Sequence, residues 1–248
     1  MISGCVCHWV RICGEREDSL LYSVITLATS KGGAGKSTLA RALAAYWLSV
    51  GMRPALIDAD PQRALAARHD PTGPLSALAM HEEPDERVGE LIEELRARHQ
   101  PIIVDTAGFR NRTAVTALVS SDLALIPLKP SAADVAGAIA TFDLIQELNG
   151  TPEREGKPIR ASMVLTMTMK NTLIARHVRR QLEEAGLPLL KAEMAHRVSY
   201  PEADIDGLSP SVIEPDGAAS RDIAAIVQEL LGIGTKYVMK SSVREPMV

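Results

Sequence analysis

The run Thr29-Ser-Lys-Gly-Gly-Ala-Gly-Lys-Ser-Thr38 sets two lysines, three glycines and a terminal hydroxyl pair within one short segment. Residues of these types at this spacing suit the wrapping of phosphate groups. Gly32, Gly33 and Gly35 let the backbone turn tightly and aim successive N–H groups at phosphate oxygens. A helix beginning at Lys36 adds the partial positive charge of its N-terminus, with Ala34 and Thr38 completing the cradle. Lys36 is placed to reach β- and γ-phosphates, and the Ser37 hydroxyl to coordinate Mg²⁺. Ser30 stands where the pattern G-x-x-x-x-G-K-[ST] has its first glycine, and Lys31 adds a second lysine before the paired glycines. The plain alternative, a glycine-rich turn with incidental lysines, does not account for the length of the match.

Two acidic segments are candidates to complete this site. Asp58-Ala-Asp60-Pro-Gln62 and Asp105-Thr-Ala-Gly108 each follow an apolar run. Ligands in open parallel sheets gather at the carboxyl ends of strands, so these ends would converge with the glycine loop on one magnesium–triphosphate. Asp105 is the candidate carboxylate for Mg²⁺, through water. Asp58 could do the same, while Asp60 could orient the attacking water. Acidic residues at strand ends also serve only to cap the next helix, and each taken alone admits that reading.

The elements that must position these groups are legible as alternating runs. Val24–Thr29, Ala55–Asp58, Ile102–Asp105, Leu123–Leu128 and Met163–Met167 are nearly continuously apolar, as strands buried on both faces are. Between them, Lys36–Val50 carries Leu39, Leu43, Trp47 and Val50 on one helical face and is closed by Gly51. Arg87–Arg98, Ala132–Leu148 and Thr172–Ala185 read as further helices. The alternation predicts an α/β fold, a mostly parallel twisted sheet with helices on both faces. The chain has 248 residues and 46% hydrophobic content, which favours one substantial domain. Residues 1–21 read as a flexible N-terminal extension, 22–232 as the nucleotide-binding domain and 233–248 as a polar tail.

Composition removes several classes. A net charge of −4 gives no bulk attraction for nucleic acid, so any DNA contact needs a local basic patch. No segment has the apolar length of a membrane span, and Met1–Val10 lacks the form of a secretory signal. The three cysteines, Cys5, Cys7 and Cys13, sit outside the apparent core and form no disulfide framework, which points to the cytosol.

The pieces Lys31-Gly-Gly-Ala-Gly-Lys-Ser-Thr38, Asp58-Ala-Asp-Pro-Gln62 and Asp105-Thr-Ala-Gly108 together resemble the ParA/MinD superfamily of deviant-Walker ATPases. The Asp-Pro-Gln element resembles the ParA branch, as do Ser121–Ser131 with Asp134 and Ile213–Ala219, so the likeness spans roughly Tyr22–Leu231. The short ParA type, without an N-terminal helix-turn-helix domain, is the nearest form. The resemblance implies ATP as nucleotide, contacted by Lys31 to Thr38 and Gly108, with Mg²⁺ at Ser37, Asp58 and Asp105. It assigns catalysis to Lys31, Lys36 and Asp60. It further implies an ATP-bound homodimer in which Lys31 crosses to the partner's phosphates. That dimer would bind non-specific DNA on the nucleoid, and a ParB-like centromere-binding adaptor would stimulate hydrolysis and release it.

The DNA surface has two readings. Arg176, Arg179 and Arg180 cluster with His177 and would neutralise phosphates; alternatively they form a solvated face in which Arg180 pairs with Glu184. Lys170 and Arg197 are further candidates. His69, His81 and His99 lie in polar connections without metal-ligand spacing and read as solvated. Met163, Met167 and Met169 read as core and pocket lining, with Met169–Asn171 able to approach the adenine. Among functions sharing the fold, DNA partition is favoured by Asp-Pro-Gln. A positioning ATPase for another cargo is the alternative: a protein assembly, a conjugation or T-DNA complex, or the division apparatus. Membrane binding is not expected, because Thr235–Val248 has little apolar area. A metallocluster enzyme of the nitrogenase iron protein kind would need core cysteines, and none lies beyond Cys13.

Overall fold

The computed structural model describes residues 22–108, 111–169 and 172–232. Seven strands pair in parallel in the order β3-β2-β4-β1-β5-β6-β7. They are β1 (Val24–Leu27), β2 (Ala55–Ala59), β3 (Ala79–Glu82), β4 (Ile102–Thr106), β5 (Leu123–Leu128), β6 (Arg160–Thr168) and β7 (Met194–Ala195). The helices are α1 (Lys36–Ser49), α2 (Val88–Arg96), α3 (Arg112–Val119), α4 (Ala132–Asn149), α5 (Leu173–Glu184), α6 (Ser199–Ile205), α7 (Pro210–Ile213) and α8 (Ala218–Leu230). The parallel α/β sheet expected from the sequence is therefore present. All five anticipated strands and all four anticipated helices occur, with β6 beginning earlier than its apolar stretch.

Period-two alternation divides the strand residues between the two sheet faces. Ile25, Leu27, Leu56, Ile103 and Leu125 pack with Leu39, Leu43 and Trp47 of α1 and Ile223, Ile226 and Leu230 of α8. On the other face, Val24, Ile57, Ile102 and Val104 meet Val88 and Ile92 of α2. Farther along that face, Ala124, Ile126, Met163 and Leu165 meet α4 and α5. A fully buried leucine or isoleucine contributes roughly 1.5–3 kcal/mol, so these layers fix where the strand ends lie. Helix α1 is more enclosed than an amphipathic surface helix, with every residue from Leu39 to Ala45 buried. The segment that follows the glycine loop is thus the central helix of the domain.

Strands β3 and β7 and helices α3, α6, α7 and α8 were not anticipated from the sequence. Strand β3 is an edge strand of Ala-Met-His-Glu that is half-buried or exposed, so it carries no continuous apolar signal. Strand β7 is only two residues long. Helix α8 does carry a helical period in Ile223, Ile226, Val227 and Leu230, all buried, and that signal was available in the sequence. The extension at 1–21 with its three cysteines, Lys170 and Asn171, and the tail at 233–248 lie outside the described residues.

Candidate functional site

Strand register brings the acidic ends together. Leu27 of β1 stands beside Asp105 of β4, which stands beside Asp58 of β2. The chain leaving β1 becomes the glycine loop, so the loop, Asp105 and Asp58 share the carboxyl edge of the sheet's centre. Asp122 fixes the start of β1 by accepting hydrogen bonds from the Ser23 and Val24 amides, both at 2.9 Å.

The loop is held from beneath. Gly33 and Gly35 adopt φ of 74° and 78°, the left-handed conformation that glycine enters without strain. The Ala34 carbonyl, buried, accepts a hydrogen bond from Thr166 Oγ1 of β6 at 2.8 Å. Methyl carbons of Met194 and Met167 sit 3.2 and 3.4 Å from where a Cβ on Gly35 would stand. On the flank, Gly137 of α4 lets the loop approach closely, since a Cβ there would lie 2.4 Å from Ser30 Oγ and 3.1 Å from Lys31 Cγ. Gly32, Gly33 and Lys31 face solvent, while Lys36, Ser37 and Thr38 are half-buried at the start of α1. The loop thus presents its outer side, with Lys31 on it, and is tied down at Ala34.

Asp105 is 1% exposed, and Lys36 Nζ lies 3.4 Å from its Oδ1. At that separation the ammonium is an ion-pair partner outside hydrogen-bonding geometry, and Oδ1 has no donor. Burial pushes the Asp105 carboxyl up to about 6, opposed by the Lys36 ammonium and the Ser37 hydroxyl and reinforced by Asp58. A buried oxygen without a donor is costly unless something cationic meets it. The Lys36 ammonium meets that need in part, and the oxygens of the Ser37 hydroxyl and the Asp105 carboxyl are of the kind that would suit a divalent ion.

Asp58 is used differently from the expectation of a metal ligand alone. Its Oδ1 accepts the Asp60 amide at 3.2 Å, and its Oδ2 accepts the Leu65 and Ala66 amides at 2.9 and 3.0 Å. It is a buried backbone staple for the segment that carries Asp60, and its charge adjoins Asp105. Asp60 itself is half-buried and accepts the Gln62 amide at 2.9 Å. Gly108 is exposed beyond β4, with open space where a Cβ would be. Among the described residues, no group of three or more His, Cys, Asp or Glu side chains is arranged to hold a metal by itself.

Residues that the sequence reading passed over also converge here. Lys129 lies just beyond the carboxyl end of β5, its Nζ 4.0 Å from the Cβ position of Gly33. The strand-end rule that singled out Asp58 and Asp105 applies to it equally. Thr166, which anchors Ala34, had no such signal. Met163 is buried core, Met167 reaches the space under Gly35 while remaining partly exposed, and Met169 is exposed.

The basic cluster is smaller than expected. Arg179 donates to the Leu190 and Lys191 carbonyls and pairs with Glu183 and Glu193. The i,i+4 pair on this helix is Arg179–Glu183 at 3.8 Å, and no Arg180–Glu184 pair occurs among the described residues. Arg197 is held by Asp222 through bonds of 2.7 and 2.9 Å. Arg176 and Arg180 remain exposed on α5 and have no acidic partner among the described residues. The histidines are half-buried rather than solvated. Burial lowers His69 and His81, aided by Arg41 beside the first and His99 beside the second. His81 lies on the unforeseen strand β3, which explains its shelter.

The sequence profile of the CobQ/CobB/MinD/ParA nucleotide binding domain matches residues 25–210. The chain belongs to that family. Protein ParA of Rhizobium radiobacter is 28% identical to it over 182 residues, 71% of this chain and 80% of that protein. The maintenance of carboxysome distribution protein A of Halothiobacillus neapolitanus is 26% identical over 215 residues, 84% of this chain and 94% of that protein. The solved Pyrococcus furiosus cell division ATPase MinD superposes with a TM-score of 0.68 at 15% identity, covering 85% of this chain and 99% of MinD. At that identity the likeness bears on the fold. This is a ParA/MinD-type nucleotide-binding protein, and no described helix is long and apolar enough to cross a membrane.

The raised Asp105 carboxyl carries a pH signature. Its proton is bound more tightly in the folded than in the unfolded chain, so its contribution to stability is complete below about 3.8 and is lost as pH rises through about 6. In nucleotide-free protein, Asp105→Asn removes that loss. Thermal melts should show the variant gaining on wild type between about pH 4 and 7, on the order of 2 kcal/mol. A constant difference between the two proteins across that range would refute the shift.

Proposed function

We propose that this chain is an Mg²⁺-dependent ATPase of the ParA type whose ATP-bound homodimer holds non-specific DNA and drives segregation of plasmid or chromosomal DNA. The observation that carries the reading is the pairing of an anchored glycine loop, bearing Lys31 and Lys36, with the donorless buried oxygen of Asp105. ATP is the substrate, with its phosphates against the N–H groups of residues 32–38 and the Lys36 ammonium between β- and γ-oxygens. Ser37 and Asp105 would hold magnesium, which supplies charge neutralisation across the β- and γ-phosphates. Asp60 orients the attacking water, and Asp58 fixes the segment that bears it.

Lys31 is exposed and has no ion-pair partner among the described residues, as suits a lysine that reaches a second subunit's phosphates. Phosphoryl transfer depends on positioning and charge stabilisation, so a lysine arriving from the partner couples turnover to dimerisation. The DNA-holding cations are Arg176 and Arg180, supported by their exposure and by the absence of an ion pair to either among the described residues. An adaptor of the ParB kind would stimulate hydrolysis, release the dimer and thereby end the nucleoid-bound state. A second reading, a protein assembly as cargo, is favoured by the longer match to the carboxysome-distribution relative. The ATP and DNA steps are common to both readings.

Two experiments test this. Lys31→Ala should retain ATP binding yet lose the ATP dimer and stimulated hydrolysis, checked by sedimentation and phosphate release. Wild-type dimerisation and turnover in that variant would sink the assignment. Binding to random-sequence duplex, measured with ATP, with ADP and without nucleotide, should occur only with ATP and weaken steeply with salt. Arg176→Glu with Arg180→Glu should abolish it at low salt while leaving ATP dimerisation intact. No binding in any nucleotide state by a wild-type protein that still dimerises would reject the DNA-holding function and leave a protein scaffold as the track.

A further inference from the structure

Arg41 lies on α1, past the phosphate-contacting residues, and is 3% exposed. A guanidinium that deep in the fold must have all its donors engaged to offset desolvation. Its Nη1 is ion-paired with Asp204 of α6, and its Nη2 donates to the Leu65 carbonyl at 3.2 Å. Leu65 is therefore gripped through both of its backbone polar groups, because its amide is bonded to Asp58 at 2.9 Å. Asp204 also binds Arg68, at 3.1 Å, on the same segment. The chain from Asp60 to Arg68 is thus fastened to β2 by Asp58, to α1 by Arg41 and to α6 by Asp204.

A steric feature points the same way without involving charge. The turn that closes α6 contains Gly207 at φ 66°, and a Cβ there would lie 1.7 Å from the Arg68 carbonyl oxygen. That proximity admits only glycine, so α6 and the Asp60–Arg68 segment are built to be in contact at this point.

We infer that Arg41 is a positioning residue for hydrolysis: through Asp204 and Leu65 it ties the nucleotide-contacting helix to the segment that presents Asp60. The inference deepens the proposed ATPase reading and rests on Asp60's role there. With its guanidinium committed to Asp204 and the Leu65 carbonyl, Arg41 acts through those partners and sets where Asp60 stands relative to a phosphate at the start of α1. Small displacements of a group that orients a nucleophile cost roughly ten- to a hundredfold in rate without weakening ground-state binding.

The test compares wild type with two variants. Arg41→Gln with Asp204→Asn removes both charges together, so that neither is left buried and unpaired, and Gly207→Ala wedges the contact apart while keeping every charge. Thermal melting and a native circular dichroism spectrum establish that each variant is folded. Hydrogen–deuterium exchange is followed without nucleotide, and ATP affinity and single-turnover hydrolysis are then measured. The expected result is exchange at the Leu65 and Ala66 amides faster by about tenfold or more. ATP affinity should stay within about twofold of wild type while turnover falls roughly ten- to a hundredfold. Unchanged exchange in a folded double variant overturns the fastening. Faster exchange with wild-type turnover, or affinity and turnover falling in proportion, overturns the positioning role. A wild-type protein that does not hydrolyse ATP would strike at the ATPase reading and with it the positioning role, while the exchange comparison would still decide whether Arg41 holds the segment.

Discussion

The nucleotide site depends on one electrostatic constraint, a carboxylate set in the dry centre of a parallel sheet. Asp105 is buried between β1 and β2, facing a lysine that stops short of a hydrogen bond. Desolvation of a charge is affordable only where compensation is arranged, and here it is arranged from outside the strands. Lys36 and Ser37 open the helix that follows the glycine loop, so the loop must bring that helix start to the Asp105 strand end. The sheet order β2-β4-β1 achieves this by setting β4 between the other two. A one-residue register slip would turn Asp105 toward the opposite face and strand it among Val24, Ile57 and Val88.

Around that charge, many polar residues serve the backbone. Asp58 staples three amides, Asp122 holds the first residues of β1, and Thr166 fixes Ala34. Ser131 and Asp134 form a cap at the start of α4, with the Asp134 amide bonded to Ser131 Oγ at 3.1 Å. A phosphate cradle needs this support because its own N–H groups must stay unpaired toward the ligand. A loop that cannot bond to itself is ordered by what lies beneath and beside it, here β6 below and Gly137 of α4 alongside.

The sheet and the cradle were legible in the sequence because both leave local signals. Buried parallel strands read as apolar runs, and the loop's glycines and lysines are contiguous. What stayed hidden depends on partners far along the chain. Arg179 and Arg197 have the same composition and exposure cues as Arg176 and Arg180, yet Asp222 claims one and a turn near Glu193 the other. Asp58 carries the motif of a metal carboxylate, and only the fold reveals that Leu65 and Ala66 return to it. The shelter of His81 follows from β3, an edge strand whose polar residues erased its signature. Helix α8 was a missed periodicity rather than an absent one.

The arrangement also explains how one chain could join a nucleotide event to a surface. Strand β6 supplies Thr166 to the loop's Ala34 carbonyl and Met167 to the space under Gly35, then ends at Thr168. A few residues later the chain enters α5, where Arg176 and Arg180 stand exposed. Helix α5 packs on the sheet through Val178 and Leu182, and Arg179 latches it to the segment that leads into β7. Close-packed elements shift as bodies rather than deforming continuously. The contacts run from Ala34 through Thr166 of β6 to the core that seats α5 and its exposed arginines. The bonds that remove Arg179 from that face are the ones that hold α5 to the segment before β7.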